Sequence, residues 1–111
     1  MSYQHQAMAN GKWMQMSLPE QMANIGSEVF RAIKSKSRKD EKSAQLAFER
    51  ALELFDLSLQ DSKNHKRFIE IARVRETFVD FFKYKNQYKQ SEESVNGYFF
   101  NFNYLARIRT N

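Results

Sequence analysis

The residues able to do covalent or metal chemistry in this chain are few, and their spacing argues against a catalytic centre. There is no cysteine, so disulfides, thiolate metal ligands and thiol nucleophiles are excluded. The two histidines, His5 and His65, belong to neither a His-x-x-x-His nor a Glu-x-x-His pattern, so no designed metal site is expected. His65 lies beside Lys63, Lys66 and Arg67, with nothing to aim it at a serine as a general base. Glu49, Glu53 and Asp56 share one helical face, but the spacing is that of a solvated polar face rather than of an acid/base pair. Three isolated glycines make neither a dinucleotide fingerprint nor a phosphate loop. The expectation is a protein that is not an enzyme and has no catalytic residue, no cofactor and no metal.

Binding chemistry is better represented. Phe100, Tyr104 and Ile108 recur at four-residue steps and form an apolar face beyond the one a helix needs for its own core, which suits a protein partner or a second copy of the chain. A competing reading has Trp13, Met14 and Met16 fold back over that face within one chain. The alternative function is a nucleic-acid-binding accessory role for Lys34, Lys36, Arg38, Lys39 and Lys42, joined by Lys63, Lys66 and Arg67 if adjacent helix ends merge them into one basic rim. Tyr84 or Tyr88 would then stack on bases. Asp40 and Glu41 interrupt the first run, and the net charge of +5 is a modest excess of 18 basic over 13 acidic residues. A third pair, Arg75 and Tyr98, is expected to be buried. Arg75 falls in the middle of an apolar helical face and must find a carboxylate such as Glu28 or Asp56, snorkel outward, or hold an anionic ligand with the tyrosine hydroxyl.

These residues need elements to position them, and the elements are helical. Glycine and proline are scarce, and Ala, Leu, Glu, Lys, Arg, Gln and Met dominate. The 111 residues suit one domain, expected to be an all-α, antiparallel four-helix bundle over residues 17–111 behind a mobile leader at 1–16. Ser17-Leu18-Pro19-Glu20 reads as a capping box with proline in the first turn, opening a helix at about 18–35 whose stripe is Leu18, Met22, Ile25, Val29 and Ile33. Gly26 at the edge of that stripe is expected to permit close helix approach. Ala44, Ala47, Phe48, Ala51, Leu52, Leu54, Phe55 and Leu59 form a broad apolar sector on a helix at 40–60. Phe68, Ile71, Ala72, Phe78, Val79 and Phe82 define a third helix at 63–82. Ser91 and the glutamates after it open a fourth at 92–109, with Val95, Tyr98, Phe99, Phe102, Leu105 and Ala106 toward the core.

Two known helical families fail on their motifs. A tetratricopeptide-like run at Ala44–Leu54 has no second copy, and no arginine precedes a histidine at the spacing of HEPN ribonucleases. The segments Leu18-Pro19-Glu20-Gln21-Met22-Ala23-Asn24-Ile25-Gly26-Ser27-Glu28 and Ala47-Phe48-Glu49-Arg50-Ala51-Leu52-Glu53-Leu54-Phe55-Asp56-Leu57, followed by Arg75-Glu76-Thr77 and Glu93-Ser94-Val95, resemble a family of small prokaryotic four-helix-bundle proteins with no established activity. The resemblance implies a self-contained bundle and brings no transferable site. No apolar run in the first sixteen residues suits a signal peptide or membrane span, so no membrane partner and a cytoplasmic location are expected.

Overall fold

The computed structural model describes residues 11–83 together with Val95, Gly97 and Phe99. Among the described residues the chain is all-helical, without a strand, in three long helices. The first, α1, spans Leu18–Ser37 and opens on the expected capping box: Glu20 N–H donates to Ser17 Oγ, and Ser17 N–H donates to Glu20 Oε1, each at 3.3 Å. Two amides that have no partner inside the helix are thereby satisfied. Its buried stripe is Met22, Ile25, Val29, Ala32 and Ile33, with Gln21 and Glu28 buried among them. The helix ends where Lys39 takes a positive φ of 61°. Asp40 then caps α2, its carboxylate accepting from Ser43 N–H at 3.2 Å.

Helix α2 spans Glu41–Gln60 and buries Ala44, Ala47, Phe48, Ala51, Leu54, Phe55 and Leu57. Small alanines on this face allow α1 to approach closely, and Glu28 is held between Arg31 and Arg50 at 2.7 and 2.9 Å. Helix α3, Phe68–Lys83, contributes Ile71, Phe78 and Phe82. A run of aromatic contacts joins the helices: Phe48 stacks on Phe82 with centroids 4.5 Å apart, and Phe55 stands 6.3 Å from both Phe78 and Phe99. Val95 and Phe99 are buried in the same core and have α-helical backbone. Gly26 has the expected role, because a Cβ there would lie 2.6 Å from Phe99 Cβ.

Three sequence expectations change. The third α-helix begins at Phe68 and not at Lys63, because Ser62–Arg67 forms a 3-10 helix capped by Asp61. Phe68, assigned to the core stripe, lies at the surface with 46% of its area exposed. The mobile leader does not extend to residue 16: Trp13–Gln15 is a short 3-10 helix and Trp13 is fully buried in the core.

Candidate functional site

Trp13 is held by a polar clasp at the start of α1 and the end of α2. Its indole N–H donates to Ser58 Oγ at 3.0 Å, and its carbonyl accepts from Gln21 Nε2 at 3.0 Å. The same Gln21 amide nitrogen donates to Asp61 Oδ2 at 2.8 Å, while Gln21 Oε1 accepts from Asn64 Nδ2 at 2.8 Å. Asn64 Nδ2 also donates to the Ser58 carbonyl at 2.9 Å. Each amide nitrogen faces two acceptors, which fixes the orientation of both side chains. Gln21, Ser58, Asp61 and Asn64 are all buried, and Asn64 Oδ1 accepts no hydrogen bond among the described residues. Lys63 closes the outer side, its ammonium donating to Asp61 Oδ2 and, at 2.9 Å, to the Met14 carbonyl. Burial raises the Asp61 pKa, but the Lys63 ammonium, the Gln21 amide and the Lys63 N–H outweigh it, so the carboxyl titrates below its ordinary range.

Sequence reasoning missed this cluster, although Gln21 and Ser58 carry a readable signal. Gln21 lies four residues before Ile25, and Ser58 three after Phe55, so both are polar residues at core positions. A polar group at such a position needs a hydrogen-bonding partner.

On the outer flank of the clasp lies a groove of about 510 Å³, walled by Leu59, Asp61, His65, Phe68 and Ile69. Ile69 is 68% exposed, the most open of the large apolar side chains described. The wall is mainly apolar with one carboxylate and one imidazole, which suits an apolar anchor side chain from a folded or helical partner. Among the described residues no three His, Asp or Glu side chains gather as a metal would require.

The expected basic rim is not one surface. Lys42 lies in the first turn of α2 and Lys63 beyond its last, so a helix of 20 residues, about 30 Å long, separates the two groups. Arg75 is not buried either. Its side chain is 32% exposed, and its guanidinium reaches Asp56 at 2.9 Å, one of the two partners expected for it. Phe100, Tyr104 and Ile108 of the expected partner interface, together with Tyr98, Tyr84, Tyr88 and His5, lie outside the described residues.

An all-helical chain with a buried polar clasp and an open apolar groove is the class that these features define. No helix among the described residues is long and apolar enough to cross a membrane. Comparison with protein-family models, with curated proteins and with solved structures returns no match.

Proposed function

We propose that the chain is a non-enzymatic helical interaction module that binds a protein partner. The observation carrying this reading is the pair Phe68 and Ile69, apolar side chains held open at the lip of the groove while the neighbouring polar residues Asp61 and Asn64 are buried. Exposed apolar groups beside a concavity favour an interface, because covering them removes apolar area from water without first unfolding anything. The groove takes one or two aliphatic or aromatic anchors. A second copy of the chain is a partner of the same kind, and the aromatic face with Phe100, Tyr104 and Ile108 would extend such an assembly.

The reading includes an antiparallel four-helix bundle as the scaffold, supported by the Phe48–Phe82, Phe55–Phe78 and Glu28–Arg50 pairings and by the seat of Phe99 on Gly26. A cytoplasmic location is part of the proposal and agrees with the absence of cysteine. The test is a photo-crosslinking residue at Ile69 in cells, with light scattering on the purified chain. A discrete adduct that disappears in the Phe68→Ser background supports the module. A strict monomer that gives no adduct at Ile69 removes it.

A further inference from the structure

The two basic groups differ in what their charges are already doing. At the end of α2, Lys63 is bound to Asp61 and the Met14 carbonyl, and Arg67 grips Glu70 through two hydrogen bonds of 2.6 and 2.8 Å. Among the described residues, only Lys66 of that group has no such contact. At the α1–α2 turn, Lys34, Arg38, Lys39 and Lys42 are exposed and form no ion pair among the described residues. Lys36 is tied back, donating to the Phe82 carbonyl and standing 4.9 Å from its ring centroid, and Lys83 lies 5.3 Å from the Phe48 centroid. Both add their charge to this end. Opposing them are Glu41 and Asp40, whose carboxylate is turned onto Ser43 and also feels the charge of Lys42.

Beside these cations lies a ring that the core does not use. Phe30 is 49% exposed, and Lys34 Nζ is 5.6 Å from its centroid, one turn further along α1. Phe30, Lys34 and Arg38 follow at four-residue steps, about 6 Å apart along the axis. A flat half-open ring with a line of cations leading from it offers a base-stacking platform and a phosphate track.

We propose that this end of the molecule binds single-stranded nucleic acid, with phosphates on Lys34, Arg38, Lys39 and Lys42 and a base on Phe30. An anionic lipid surface fits less well. Phe30 lies about 12 Å back along the helix from Arg38, so a plane meeting the turn does not reach the ring, whereas a strand laid along α1 does. The site is independent of the groove, which lies beyond the other end of α2.

The experiment is fluorescence anisotropy of a labelled oligouridylate titrated with the full chain over a range of salt. Four phosphate contacts give a slope of log K against log salt of about −3, whereas all eight basic residues acting together would give about −6. Lys39→Gln with Lys42→Gln reduces the slope by about 1.4, and Phe30→Ala weakens binding at least about fivefold. Lys66→Gln with Arg67→Gln leaves both nearly unchanged. All these positions are exposed, and circular dichroism confirms that the variants fold. No binding at low ionic strength, equal losses in the two double variants, or binding to phosphatidylserine vesicles without binding to the oligonucleotide would each overturn the proposal.

Discussion

Replacing Trp13 by alanine tests whether the segment before α1 is part of the core. Trp13 is fully buried, and its truncation leaves a cavity among neighbours that belong to different stretches of chain. A cost of about 3–5 kcal/mol follows for removing a buried tryptophan, a large share of the roughly 5–15 kcal/mol that holds a domain together. Trp13→Phe separates the contributions. It keeps most of the apolar contact but leaves the buried Ser58 hydroxyl without the indole donor, so about 1–3 kcal/mol is expected. Urea denaturation followed by circular dichroism gives both values on one scale. Trp13 is also the sole tryptophan, so its fluorescence reports the site directly, with blue-shifted emission in the native state that reddens along with the loss of helix. If Trp13→Ala costs less than about 1 kcal/mol, or if the native emission is that of a solvated indole, the clasp does not secure this segment.

Gly26→Ala would gain about 1 kcal/mol of helix propensity, yet its Cβ meets Phe99 at 2.6 Å, so a net loss of about 1–3 kcal/mol is expected in thermal melts. A gain in stability would show that Phe99 is not seated there. Asp61 has a pKa below its ordinary 3.8, so its contribution is complete above that value and fades as pH falls through the lowered one. Asp61→Asn should therefore flatten the acid limb of the stability profile and lower the plateau at neutral pH; an unchanged acid limb would place the titration elsewhere. Arg75→Glu faces Asp56 with a like charge, but both groups are half-exposed, so a loss below about 1 kcal/mol is expected, with Arg75→Leu closer to wild type. A loss of several kcal/mol from Arg75→Glu in urea titrations would mean that the arginine is buried after all.

What could be read from the sequence was what local spacing determines. The start of α1 was legible because a capping box is a four-residue pattern, and the buried face of α2 because 3.6-residue periodicity places Phe48, Ala51 and Phe55 on one side whatever the partner. The 3-10 helix was not legible, since Ser62–Arg67 has no apolar period and its shape depends on Asp61 and the burial of Asn64. Trp13 illustrates the same limit. Its neighbours carry no repeat, and Ser58, which accepts from its indole, lies 45 residues away. The basic residues were all identified, but which of their charges remain available depends on their near neighbours Asp61 and Glu70 and on the Met14 and Phe82 carbonyls, and only tertiary structure brings those carbonyls near.

The span of the clasp also sets an order of events. Trp13 and Ser58 are 45 residues apart, and Asn64 and Gln21 are 43, separations whose closure entropy is prohibitive for hydrogen bonds alone. Once the hairpin of α1 and α2 has formed, the same groups are already neighbours and most of that entropy has been spent. The indole should therefore dock late, and leave first when the native state loosens. In amide exchange Trp13–Gln15 would then open by a smaller excursion than the helices it rests on, making it an earlier foothold for a protease than α1 or α2.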